Sequence, residues 1–81
     1  MINFTGKWIE FTDISIDTQK TKRFMVNNKE NSNALGEIKW YGGFRKYSFF
    51  SFPDIVYEEQ CLRDIATFLQ LLMDERKNNN Q

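Results

Sequence analysis

Hydrophobic and polar positions keep two rhythms along this chain, a period of two as far as residue 52 and three- and four-residue steps after it. Between Lys7 and Asp17 the positions Trp8, Ile9, Phe11, Ile14 and Ile16 predict a first strand, with Thr12 and Asp13 as a bend or bulge in its middle. A polar connection, Thr18-Gln19-Lys20, leads to a second strand over Thr21 to Val26, in which Phe24 and Val26 share a face. Residues Asn27 to Asn33 are polar throughout and tolerate turns, so they predict a surface loop. Leu35 to Tyr41 then alternates, Ile38 and Trp40 on one face and Glu37, Lys39 and Tyr41 on the other.

Gly42-Gly43 predicts a tight hairpin in which both glycines take positive φ, with Phe44 to Phe52 as the returning strand. In that register Trp40 stands opposite Arg45 and Ile38 opposite Tyr47, Phe49 follows on the same face, and Tyr41 pairs with Phe44 on the other. Pro53-Asp54 ends the strand because proline donates nothing to a ladder. After Ile55-Val56-Tyr57 the residues Cys61, Leu62, Ile65, Phe68, Leu69, Leu72 and Met73 recur at helical spacing. Glu58 and Glu59 in the first turn and Arg76 and Lys77 in the last complement the helix dipole. The prediction is an α+β fold: a short four-stranded, mostly antiparallel sheet with one amphipathic C-terminal helix packed on one face through Leu62, Ile65, Phe68, Leu69 and Leu72. Residues 1–81 form a single domain, with the first few residues and 78–81 expected to be flexible.

Composition narrows the function classes. Eighty-one residues hold one core, and a chain of this size buries only about 60% of the surface its unfolded form exposes. Cys61 is the sole cysteine and there is no histidine, so neither a disulfide within the chain nor the usual zinc ligand sets can be assembled. Eleven basic residues balance eleven acidic ones, so a nucleic-acid or nucleotide site needs local clustering of cations. The N-terminus lacks the pattern of a signal peptide, and no run approaches the ~18 apolar residues of a membrane span. The expected location is the cytoplasm, in agreement with the lone thiol.

Serine or cysteine nucleophiles normally work with a base such as histidine, phosphate-binding glycine loops are absent, and the carboxylates form no spaced pair. The expectation is a protein without catalytic residues, metal or cofactor. Cys61, on the apolar stripe of the helix, reads as a small buried hydrophobe. The informative cluster is at the hairpin: Lys39, Trp40, Tyr41, Arg45 and Tyr47, with Lys46 beside them. Together with Lys22 on the preceding strand they are the candidate ligand-binding residues, because flat rings stack a base while cations neutralise its phosphate. The same rings and cations can instead support the hairpin, a guanidinium over an indole contributing about 0.5–2 kcal/mol. Lys20, Lys22 and Arg23 form a second basic stretch that can equally be a solvated strand edge. One helix covers one sheet face, which leaves Tyr41, Phe44 and Phe50 on a face that should meet a second copy, a partner protein or a ligand.

The string Leu35-Gly36-Glu37-Ile38-Lys39-Trp40-Tyr41-Gly42, followed by Arg45-Lys46-Tyr47, Phe49-Phe50, Cys61-Leu62 with Ile65 and Phe68, and Leu72-Met73 with Glu75-Arg76-Lys77, resembles a group of small bacteriophage and mobile-element proteins. Their pattern runs approximately K-T-K, L-G-x-I-K-W-Y-G-x-W-R-x-Y-x-F-F-P, C-L and a final helix. Phe44 stands where that pattern has tryptophan, and Ser51 where it often has proline. The resemblance implies a phage accessory protein that works by stoichiometric binding, countering bacterial immunity in the host cytoplasm. Two functions follow as expectations. One is a homo-oligomeric sponge for a cyclic nucleotide or related immune signal, with Arg45 and Lys39 on phosphate and Trp40 or Tyr41 under the base. The other is an anti-CRISPR-like inhibitor that blocks a bacterial defence protein through its aromatic sheet face. Zero net charge counts against a nucleic-acid-binding module, and no membrane partner is expected.

Overall fold

The computed structural model describes residues 2–79. Its strands are β1 (Ile9–Asp13), β2 (Phe24–Asn28), β3 (Ala34–Tyr41) and β4 (Lys46–Ser51), each antiparallel to the next, and they precede one helix, α1 (Glu59–Asn79). The α+β architecture and the single C-terminal helix match the periodicities. The first strand is shorter than its apolar pattern: Trp8 and Ile16 lie outside β1 and are exposed. The expected flexible C-terminus concerns 78–81, of which 80 and 81, like residue 1, lie outside the described residues.

Alternation places Ile9 and Phe11 of β1, Phe24 and Val26 of β2, Gly36, Ile38 and Trp40 of β3, and Tyr47 and Phe49 of β4 on the face that meets α1. A bulge between Val26 and Asn27 re-aims the start of β3, so that Gly36 still pairs with Val26 and Leu35 packs against the core. Gly36 has no room for a side chain, since a Cβ there would lie 2.6 Å from the Phe50 carbonyl oxygen and 2.7 Å from the Phe49 ring.

The hairpin differs from its prediction. Tyr41 pairs with Lys46, Trp40 with Tyr47 and Ile38 with Phe49, so the loop has four residues, Gly42 to Arg45, rather than two glycines. Neither glycine takes a positive φ; Arg45 does, at 53°. The loop closes through Phe44 N–H to Tyr41 C=O (3.2 Å) and Arg45 N–H to Gly42 C=O (3.3 Å), followed by a left-handed residue that returns the chain to β4. The partners therefore shift by two residues, an even number, and the side chains of β3 and β4 keep their predicted faces, while Phe44 and Arg45 pass into the loop.

The helix buries Ile65, Phe68 and Leu72, with Cys61, Leu69 and Met73 packed at the margins. Leu62, predicted as part of this face, is 53% exposed. It sits at the flank of the stripe near the start of a helix about 31 Å long, longer than the strands beneath it, where the sheet offers nothing to cover it. Phe68 organises the core: its ring stacks on Phe11 at 4.0 Å and meets Phe24 edge-on at 4.9 Å. Glu58 caps the helix, its carboxylate accepting the Cys61 N–H at 2.6 Å. At the other wall of the core Asp64, buried on the helix, accepts a hydrogen bond from the Gln60 side-chain amide and another from the Lys7 N–H at 2.9 Å, the second of which docks the N-terminal segment; Ile2 and Phe4 of that segment pack on the core. Among the described residues no helix is long and apolar enough to cross a membrane.

Candidate ligand-binding site

The six residues singled out at the hairpin and on the second strand do not share one surface. Trp40 and Tyr47 face the helix. Tyr47 is buried, its ring meets Trp40 edge-on at 5.4 Å, its hydroxyl accepts the Lys22 N–H at 3.1 Å, and its own N–H points at the Met73 sulfur at 3.5 Å. The cation over Trp40 is Arg76, its guanidinium carbon 4.3 Å from the ring centroid; the predicted pairing with Arg45 is replaced because the longer loop carries Arg45 past the indole. Lys39 and Tyr41 point to the opposite face, where the Lys39 ammonium stands 4.7 Å over the Phe50 ring and Tyr41 contacts Phe44 and Phe50 edge-on. Arg45 is exposed at the turn. Lys22 reaches α1 and bonds Glu75 at 2.8 Å. That bond raises the Lys22 ammonium above its ordinary value and lowers the Glu75 carboxyl below its own.

A different grouping emerges from the tertiary structure. The ladder between β2 and β3 ends at Phe24 and Ile38, and Lys22 gives its N–H to Tyr47, so Trp40 has no strand partner on its β2 side. Into the gap opens a depression of about 480 Å³ lined by Gln19, Lys20, Thr21, Arg23, Lys39 and Trp40. Three cations, an indole and two uncharged polar side chains line it, with no carboxylate among them. Arg23 is held by an ion pair with Glu37, while Lys39 and Trp40 come from adjacent positions of β3. Of the residues lining it, Lys39 and Trp40 are among those the sequence singles out. Gln19, Lys20, Thr21 and Arg23 join them only because the chain peels away from β3 before residue 24, a departure that no local pattern marks.

The second surface is the outer sheet face. Tyr41, Phe44 and Phe50 form a contiguous ring cluster there; Phe44 is 72% exposed and the Lys39 ammonium lies over Phe50. Cys61 is half-buried in α1, and burial pushes its thiol up from the ordinary value, away from reactivity.

Fold and surface together define a small α+β protein, a four-stranded meander capped by one helix, with a cationic notch beside an open aromatic face. No family model matches the chain, and no solved structure matches it. It is 35% identical over 71 residues to the uncharacterized 9.3 kDa protein of Acholeplasma phage L2, a match that covers 88% of this chain and 91% of that protein. The chain belongs to the family of that small phage protein.

Proposed function

We propose that this chain is a non-enzymatic phage accessory protein that counters bacterial immunity by sequestering a nucleotide-derived signal in the host cytoplasm. The observation that carries this reading is the depression at the β2–β3 gap, whose lining includes Lys20, Arg23, Lys39 and Trp40 and no acidic side chain. Cations of this density attract phosphate, and the indole offers a flat surface for a base. The ligand-facing set is thus Lys20, Arg23, Lys39 and Trp40, with Thr21 and Gln19 as uncharged donors and acceptors. Tyr47 and Lys22 support the notch from behind through their hydrogen bond. Tyr41 and Arg45 lie outside its lining. The exposed cluster of Tyr41, Phe44 and Phe50 adds a surface for a second copy, which makes the sponge a homo-oligomer.

A second reading uses the same open rings differently, as the surface that blocks a bacterial defence protein. It is favoured by Phe44, an exposed aromatic at the tip of a hairpin that projects beyond the sheet.

The test is isothermal titration of the protein with cyclic dinucleotides, cyclic trinucleotides and ADP-ribose, alongside a Lys20→Ala/Lys39→Ala variant. Saturable binding of at least one of them, weakened tenfold or more in the variant at unchanged melting temperature, is the expected result. Absence of binding across the set would reject the sponge and leave the defence-protein reading.

A further inference from the structure

One edge of the sheet is open. β4 ends the strand order, and the N–H of Phe52, just past it, still bonds Leu35 C=O on the β3 side at 2.9 Å. Backbone groups alternate along a strand, so Ser48 and Phe50 also turn to β3 while Tyr47, Phe49 and Ser51 turn outward. Tyr47 follows this rule, its N–H meeting the Met73 sulfur and not β3. Among the described residues no hydrogen bond reaches the N–H of Phe49 or Ser51. From Tyr47 to Ser51 the edge carries neither charge nor proline, the usual guards against strand addition. The opposite edge is guarded: Ile9 C=O of β1 accepts the Gly6 N–H at 3.0 Å and the Thr5 hydroxyl at 3.4 Å, and the strand carries Glu10 and Asp13.

Beside the open edge α1 carries a second apolar stripe. Cys61, Ile65, Phe68 and Leu72 recur at steps of four, three and four and face the sheet; one position on, Leu62, Ala66, Leu69 and Met73 repeat those steps about 100° round the helix. Leu62 and Ala66 are exposed, and Leu69 and Met73 are half-buried. Because Met73 reaches the outward N–H of Tyr47, this stripe overhangs β4, and stripe and edge form one surface. Its two ends differ in charge. At the start of α1, Glu58 and Glu59 outnumber Arg63; at its end a cleft of about 430 Å³ sets Lys46, Arg76 and Lys77 against Asp74, with Gln70 and Met73 completing the lining.

We propose that a second copy of this chain adds at this surface, β4 antiparallel to β4 across a two-fold axis, with the two α1 helices side by side along Leu62, Ala66, Leu69 and Met73. A second copy is the occupant because it supplies a strand for the edge and an apolar stripe for the helix, and because antiparallel helices set the acidic start of one copy beside the basic end of the other. The guarded β1 edge stops the pairing at two copies. Ala66, small and near the middle of the stripe, lets the helices approach. The pairing also brings the Phe50 side chains onto adjacent strands, so the outer ring clusters of the two copies become continuous. It rests on the homo-oligomeric part of the proposed function and is independent of the ligand.

Sedimentation equilibrium of the full chain over a concentration series should show a dimer. Ala66→Glu puts like charges at the seam from an exposed helix position, and should raise the dimer dissociation constant about tenfold or more with the circular dichroism spectrum unchanged. Thr67→Glu, exposed and turned away from the stripe, should leave the dimer intact. Amide hydrogen exchange on the unsubstituted protein gives a reading that needs no variant: the Phe49 and Ser51 N–H groups should be protected in the dimer and lose that protection on dilution. A dimer whose Phe49 and Ser51 amides exchange freely, or one indifferent to Ala66→Glu, overturns the edge pairing and leaves the oligomer to the ring cluster alone. A monomer at every concentration overturns the pairing and the oligomer together, while the depression at Trp40 is judged by its own titration.

Discussion

Arg45 closes the β3–β4 hairpin with a φ of 53°, a conformation that costs an L-residue with a Cβ roughly 1–2 kcal/mol relative to a right-handed one. Glycine is exempt from this cost, yet the two glycines of the loop stand at its first two positions, where φ is negative. Arg45→Gly should therefore leave stability unchanged or raise the melting temperature by a few degrees, as a thermal melt can show. A pronounced drop would mean that the guanidinium makes a contact that outweighs the backbone strain. Trp40 shows how a correctly chosen residue can be assigned the wrong neighbour. Its indole does stack under a cation, but the cation is Arg76 of the helix, 36 positions further along the chain.

At the scale of elements, the β1–β2 connection and the last turns of α1 are tied by Lys22 and Glu75. The hydrogen bond between them lowers the folded-state pKa of Glu75 from its ordinary 4.5 and raises that of Lys22 from 10.5. The carboxyl's contribution is complete above 4.5 and is lost as pH falls through its lower folded-state value. The ammonium's contribution is complete below 10.5 and is lost as pH rises through its higher folded-state value. The Lys22 side chain is 46% exposed, so solvent screens the pair and its worth is below about 1 kcal/mol. A Lys22→Met variant should melt slightly below the parent at neutral pH, and the gap should close in acid once Glu75 is protonated. Melting curves at several pH values check this; a gap that persists unchanged in acid would mean that Lys22 acts through its hydrocarbon stem.

The whole molecule measures 38 × 22 × 20 Å, long in one direction, and its helix shields only one side of the sheet. On the other side Tyr41, Phe44 and Phe50 stay 43%, 72% and 36% exposed, and Phe52 at the end of β4 is also open. A small domain with so much aromatic surface gains by covering it. Light scattering across a concentration series should find a dimer or larger species, and Phe44→Asp/Phe50→Asp should dissociate it without unfolding the chain. A monomer at every concentration would remove the oligomer from the proposal and move the aromatic face to a heterologous partner.

Two periodicities determined most of the fold. Because a strand's side chains alternate strictly, the division of Ile38, Trp40, Tyr47 and Phe49 from Tyr41, Phe44 and Phe50 survived a loop two residues longer than the Gly42-Gly43 signal implied. The helix stripe located Ile65, Phe68 and Leu72 for the same reason, since burial repeats with the turn of the helix. Leu62 escaped because periodicity says where a residue points, and not how far the opposing sheet extends. The grouping of side chains at the candidate surface was decided by tertiary structure. Lys20 and Arg23 come to line one depression with Lys39 and Trp40 only where β2 separates from β3. Local patterns carry the direction of each side chain relative to its own backbone. Which distant side chains share a cavity depends on register, strand length and docking, and these are settled when the elements pack.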